Sequence, residues 1–495
     1  MVRKRRTYTN KKRRKRKVHK IRLFLISFLF LIALGFLALK ITENGIFTVI
    51  AVNENGTTEE GEYKHFWFAQ LKMNSLDTQD AYIQREDGKV VALSQGIVNL
   101  NTKSINENTL YTIDGTNDQG YTNGSYGADA LYLETSMDGT QVLMQISGVK
   151  GWVSIEDVQL YLFDDSLYLS HYTVQDNMLI HTISTDLLQG VVNSLSIGSA
   201  PDFMKENTTY YSYDGNYFYT DFSQMKEDNI HQDHKNAVND TAYFNFYQYV
   251  PHRSTTQLTS ANYNSYLEEM GITQKATSYP CADNESALYD LGSTFIDVQN
   301  QTGVNASMMF AVALNESGYG KSEYALTNYN LFGHAAYDEN PDSATTYTSF
   351  EDCIYQHAFG FIQNGYANPD DSRYHGSWFG NKASGINVQY ASDPYWGEKA
   401  AHFYYQLDAR SNNKDQKNIT IHTQFVTQDI LVYADKEKSS VLYTIPAGQV
   451  ASFVIEKKEN NWYTIASEAP VSNQAIDTTT PYRNSVGYIQ VKDID

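Results

Sequence analysis

The pattern of apolar and polar positions changes character several times along the chain. From Leu23 to Leu39 runs LFLISFLFLIALGFLAL, seventeen residues without a charge, near the lower end of the ~17–25 needed to cross a hydrocarbon core. From about 52 to 220 the pattern is that of short strands. Asp-Gly dipeptides at 87–88, 114–115, 138–139 and 214–215 interrupt runs such as YIQRE-DG-KVVAL and YYSY-DG-NYFYT. Asp-Gly supplies the positive φ of a tight hairpin turn, so this part reads as β-rich. Residues 221–275 are polar and rich in Tyr and Asn, with no clear period.

Residues 284–407 carry a helical period. Asn284 is expected to cap a helix with Leu288, Leu291, Phe295 and Val298 on one face, ending near Gly303. Asn305 caps a second, through ASMMFAVALNE. Ser349-Phe-Glu-Asp352 resembles a capping box opening a third, with Ile354, His357, Ala358 and Phe361 inward. Asp393-Pro394 reads as a cap and first-turn proline opening WGEKAAHFYYQL. ARSNNKDQKN, 409–418, reads as a polar linker, and strands return beyond it in ILVYAD, SVLYTIPAG and NNWYTI.

Charge sharpens the first of these segments. Residues 1–22 hold 13 Lys and Arg and no acid, and the rest of the chain carries 25 bases against 57 acids. Bases before an apolar run keep the N-terminus in the cytoplasm and place the acidic bulk outside. The exit FLALKITENG lacks a small-x-small cleavage site, so an uncleaved single-pass anchor is expected rather than a signal peptide or a nucleic-acid arm. Cys281 and Cys353 make no disulfide framework, which fits a Gram-positive bacterial surface. HQDH at 231–234 has no carboxylate or Cys cluster at ligand spacing, so no metal is expected. No cofactor is expected either.

The chemistry concentrates in VNASMMFAVALNESGYGKSEYALTNYNLFGHAAYD, 304–338. An apolar helix delivers Glu316 at its C-terminal end, where an apolar wall and the negative end of the helix dipole both disfavour ionisation. A glycosidase acid needs this, because it must hold a proton near neutral pH. Gly318 and Gly320 leave room for a sugar beside the backbone. The plainer alternative is a solvent-facing Glu at a helix end.

Glu-Ser-Gly-x-Gly followed by Asn-Leu-Phe-Gly, with NVQYASDPYWGEKAAHFY at 387–404, resembles the bacterial N-acetylglucosaminidases of glycoside hydrolase family 73. The resemblance implies a multidomain chain with an α+β, lysozyme-like catalytic domain that cuts N-acetylglucosaminyl bonds of peptidoglycan. It implies Glu316 as the catalytic acid. Tyr390 matches a cleft tyrosine that supports the transition state or the 2-acetamido group. Asp393 lies in the same motif, with its cap role a sufficient explanation. Asn330 and Phe332 match the Asn-x-Phe-Gly segment, Asn330 as a sugar ligand and Phe332 as core. Tyr374 and Trp378 in RYHGSWFG suit either sugar stacking or packing. Asp338, Glu339 and Asp342 are the candidate second carboxylates, with substrate assistance an open alternative.

The endings GWV at 151–153 and GYI at 487–489 resemble bacterial Src-homology-3-like domains. The expected layout is a basic cytoplasmic tail (1–22), a transmembrane anchor (23–39), a β-rich Src-homology-3-like region (52–162), a β-rich connector (163–280), a glucosaminidase domain (281–409), a linker (410–418) and a Src-homology-3-like domain (419–495). The expected partners are peptidoglycan glycan strands, the membrane and an unidentified membrane protein, with no nucleic acid. A wall-binding scaffold with a degenerate enzyme domain, or a lytic transglycosylase, stays open at this point.

Overall fold

Each of the four Asp-Gly dipeptides places its glycine at positive φ, between +74° and +87°, as tight turns require. Three of them join neighbouring strands. The computed structural model describes residues 45–77, 80–164, 166–334 and 345–494. The expected tail and anchor (1–39) and the acids Asp338, Glu339 and Asp342 lie outside them. Among the described residues no helix is long and apolar enough to cross a membrane.

The β-rich region expected over 52–162 divides in two. One compact unit comprises the described residues up to Ser94 together with Thr135–Thr140. Its strands β1 (Phe47–Asn53), β2 (Gly56–Tyr63), β3 (Ala81–Arg85) and β4 (Val90–Leu93) form a sheet in the order β2-β1-β3-β4. β1 is rich in β-branched residues and buries alternate positions, Phe47, Val49 and Ala51, the period of a half-buried strand. Helix α1 (Phe66–Met73) buries Phe66, Ala69 and Met73, and Phe66 meets Phe47 edge to face at 5.5 Å.

The second unit holds the rest. It begins with a seven-stranded sheet of β5 (Ile97–Asn99), β6 (Thr109–Ile113), β7 (Gln119–Thr122), β8 (Asp129–Thr135), β9 (Gln141–Ile146), β10 (Val149–Ser154) and β11 (Gln159–Tyr161), ordered β11-β5-β8-β9-β10-β6-β7. A three-stranded antiparallel sheet follows, β12 (His171–Gln175), β13 (Met178–Asp186) and β14 (Val191–Ser199). The remainder of the expected β-rich connector is mainly helices and loops, with α2 (Phe222–His231), α3 (Phe246–Tyr249) and α4 (Ser260–Glu269).

The helical lobe is built from α5 (Gly292–Thr302), α6 (Ala306–Glu316), α7 (Glu323–Thr327), α8 (Phe350–Gln356), a π-helical turn over His357–Tyr366, α9 (Asn387–Tyr390) and α10 (Trp396–Arg410). Asn305 and Ser349 cap α6 and α8 as expected, each accepting backbone N–H bonds. The helix expected from Asn284 starts only at Gly292, because Glu285–Ser286 pairs in parallel with Gln274–Lys275. α10 likewise starts at Trp396, two residues beyond Pro394. Among the described residues, 317–349 contributes helix α7 and no strand.

The core of the lobe reaches beyond 281–409. Tyr247, Tyr263, Tyr266 and Leu267 on one side and Tyr482 on the other belong to the same buried cluster as Phe295, Phe310 and Tyr404. These tyrosines bury their rings while their hydroxyls find acceptors. Tyr247 donates to Asp408 at 3.0 Å, Tyr404 to Asp415 at 2.7 Å and Tyr482 to the Ala367 carbonyl at 3.1 Å.

Residues 410–418, expected as a linker, form helix α11 (Lys414–Asn418) with Asp415 fully buried. Its carboxylate accepts from Thr256 Oγ1 at 2.5 Å, the Gln257 N–H at 2.6 Å and Tyr404. Asp415 is thus a packing residue, while Asn412, Gln416, Lys417 and Asn418 stay exposed. Beyond it, β15 (Ile421–Phe425), β16 (Ile430–Tyr433), β17 (Val441–Ile445), β18 (Val450–Glu459), β19 (Trp462–Ala466) and β20 (Val486–Gln490) form a six-stranded sheet in the order β15-β18-β19-β20-β16-β17.

Replacing Asp415 with Ala strands three donors at once, two of them buried. We expect the variant to lose about 3 kcal/mol of stability, measured by urea unfolding against wild type.

Candidate active site

Every residue of α6 from Ala306 to Leu314 is buried, so the helix runs through the core and surfaces only at Asn315 and Glu316. Gly318, Tyr319 and Gly320 then take positive φ and turn the chain away. At Gly320 a Cβ would lie 2.6 Å from Ser286 Oγ and 2.9 Å from the Leu288 backbone nitrogen, so only glycine fits.

Glu316 is half-buried at this helix end. Its Oε1 accepts the indole N–H of Trp396 at 2.5 Å and the side-chain amide of Asn315 at 3.0 Å. Burial holds its carboxyl above the usual range, the two donors pull it back, and the Asp393 charge pushes it up again. Oε2 lies toward Gly333, where a Cβ would stand 3.7 Å away. Gly333 has φ +63° and ends the Asn-Leu-Phe-Gly segment.

The two separated motifs meet here. The Tyr390 ring stacks on Trp396 at 4.4 Å, and its hydroxyl donates to the Phe332 carbonyl at 3.2 Å. Burial, then the Glu316 charge, pushes the Tyr390 phenol well above its usual range. Phe332 itself is core, stacked on His357 at 3.7 Å. Asn330 is a brace for its own loop. Its amide donates to the His334 and Thr345 carbonyls, and its oxygen accepts the His334 N–H.

The remaining predicted residues lie in supporting positions. Asp393 accepts the Tyr395 N–H at 2.9 Å and pairs with Lys399 at 2.5 Å, which makes it a brace of the turn before α10. Trp378 is buried and donates to Ser384 Oγ at 3.3 Å, with no ring face open to a sugar. Tyr374 donates to Glu468, whose other oxygen accepts from Ser377 at 2.7 Å. Both residues of the RYHGSWFG run therefore pack rather than present themselves. The cysteines Cys281 and Cys353 are free.

The seven-stranded sheet grips the segment that carries Tyr390. Tyr121 donates to the Gln389 carbonyl at 3.0 Å, the Asn123 N–H to Ser392 at 2.9 Å, and Ser147 Oγ to Pro394 at 2.6 Å. Buried Lys382 sits over the Tyr121 ring at 4.5 Å and donates to the carbonyls of Asn387, Val388 and Ala391 at 3.0–3.3 Å. From the other side, β13 and β12 hold α10. His181 Nδ1 lies 2.5 Å from the buried Glu398, which also accepts from Tyr172 at 3.2 Å.

Residues 292–409 match the sequence family of mannosyl-glycoprotein endo-beta-N-acetylglucosaminidase. This stretch is similar to a glucosaminidase domain. Two curated relatives from Streptococcus pneumoniae, strains TIGR4 and R6, each named "Putative endo-beta-N-acetylglucosaminidase", are 28% identical over 286 residues, 58% of this chain. The chain spans 37% and 34% of their respective lengths. Among solved structures, Autolysin E of S. aureus is 22% identical with a TM-score of 0.25, covering 34% of this chain and 73% of that one. A Major Bifunctional Autolysin is 21% identical with a TM-score of 0.23, covering 33% and 68%.

Three residues around Glu316 and Tyr390 carry no local sequence mark of their place in the site. Trp396 reads as a core residue opening a helix, and it is 4% exposed, yet its one polar atom is aimed at Glu316. Asn315 is hidden by its neighbour. Lys382 looks like a surface lysine because nothing local marks it as buried. Lys382→Met removes the donor from three carbonyls around Tyr390. We expect a loss of about 2–4 kcal/mol in stability, read by thermal unfolding.

Proposed function

We propose that this chain is a peptidoglycan hydrolase that cleaves β-1,4 N-acetylglucosaminyl bonds, with Glu316 as the general acid. The observation that carries this is Glu316 itself: a half-buried carboxyl at a helix end, held above the usual range, facing a side-chain-free backbone at Gly333. Burial that disfavours the charged form suits a carboxyl to hold a proton and yield it to a leaving oxygen. The glucosaminidase match at 292–409 supports the substrate class.

Tyr390 supports the acid through its ring on Trp396 and its bond to the Phe332 carbonyl. A second carboxylate comes from Asp338, Glu339 or Asp342, or the substrate's own N-acetyl group replaces it. The seven-stranded and six-stranded sheets act as Src-homology-3-like modules. The run Leu23–Leu39, preceded by thirteen bases, anchors the chain with its N-terminus in the cytoplasm and the enzyme outside. Its reach is then glycan close to the membrane.

The test incubates the full chain and Glu316→Gln with purified peptidoglycan, followed by reduction and mass spectrometry of the fragments. Wild type is expected to release new reducing-end N-acetylglucosamine, with the variant roughly 10³-fold slower. Activity that survives in the variant contradicts the assignment of the acid. Anhydro-sugar ends contradict the hydrolytic outcome.

A further inference from the structure

The two oxygens of Glu316 have different surroundings. Oε1 receives two donors, Trp396 Nε1–H at 2.5 Å and Asn315 Nδ2–H at 3.0 Å. Among the described residues no donor reaches Oε2, which faces the bare backbone of Gly333. A carboxyl oxygen offers two in-plane lone pairs. With both on Oε1 engaged by N–H groups, a proton placed there would displace a donor.

We propose that Trp396 and Asn315 are positioning residues that reserve Oε1 as an acceptor, so that Oε2 carries the proton and delivers it to the glycosidic oxygen. The proposal rests on the hydrolase reading above. In the step, the Oε2–H bond breaks as an O–H bond forms on the leaving oxygen. The bond from that oxygen to the anomeric carbon breaks, and its electron pair stays with the oxygen. Charge left on the carboxylate spreads onto Oε1, where two N–H groups already point and need no reorientation. Water then bonds to the anomeric carbon and gives up one proton, which restores the acid over the cycle.

The arrangement also explains why the donor is an indole at the first position of α10. The Trp396 ring stacks on Tyr390 at 4.4 Å and meets Phe379 edge to face at 6.1 Å, contacts that restrict the direction of its N–H. Neighbouring groups set the electrostatics around it. Asp393, tied to Lys399 and felt by Lys382, opposes ionisation of Glu316, and the Tyr390 phenol stays neutral beside it.

Trp396→Phe keeps a ring against Tyr390 and removes the N–H. A general acid loses activity as pH rises through its pKa, and a carboxylate with one donor fewer holds its proton to higher pH. The alkaline limb of kcat/KM for the full-length variant is therefore expected to move up by about one pH unit. With it, kcat falls roughly tenfold and KM changes by less than about twofold. Asn315→Ala is expected to move the same limb in the same direction by less, and it carries the test if Trp396→Phe melts below wild type. An alkaline limb that stays in place or moves down in the folded variants, while wild type cleaves peptidoglycan, overturns the proposal. A wild type that leaves peptidoglycan intact overturns the hydrolase reading and this proposal with it.

Discussion

The contact between Trp396 and Glu316 is the constraint on which the site depends. It joins the C-terminal end of α6 to the first residue of α10, eighty positions later in the chain, and the geometry of both helices must be right for it to form. α6 is buried along its length and has little freedom to move. α10 packs against α6 and is held from its other face by the buried Glu398–His181 pair and by His402 bonding the Ser196 carbonyl at 2.7 Å. The three-stranded sheet is thus part of what sets the position of Trp396.

The same logic extends to Tyr390. Its segment is short and helical only over Asn387–Tyr390, so it would wander without external bonds. The seven-stranded sheet supplies them through Tyr121, Asn123 and Ser147, and Lys382 fills the gap with an ammonium that satisfies three carbonyls. A β region that reads as a separate module is, in the folded chain, bonded to the segment that carries Tyr390. The abundance of tyrosine has a related origin. Tyr247, Tyr263, Tyr404 and Tyr482 fill the core with rings and still satisfy polar groups at the seams between elements.

What was legible in the sequence was local. The Asp-Gly turns, the Asn305 and Ser349 caps and the apolar helix leading to Glu316 each depend on a few neighbouring residues, and each is present. What was not legible depends on distant partners. Asn284 looked like a cap because its pairing with the 273–275 strand is a tertiary event. Residues 410–418 looked like a linker because the partners of Asp415 lie 159 and 158 positions away. Asn330 suited a sugar ligand because an amide that braces a loop has the same chemistry. Trp396 carried no mark of its role, since a buried indole opening a helix is ordinary core until its N–H is seen to face a carboxyl.

All of these elements converge on one physical state, a Glu316 carboxyl that keeps its proton where an exposed glutamate would not. The direct measurement is a ¹³C-NMR titration of the Glu316 carboxyl in the full chain, assigned by its loss in Glu316→Gln. A midpoint above the ordinary glutamate value of about 4.3 is the predicted result. A midpoint at or below it would contradict the account.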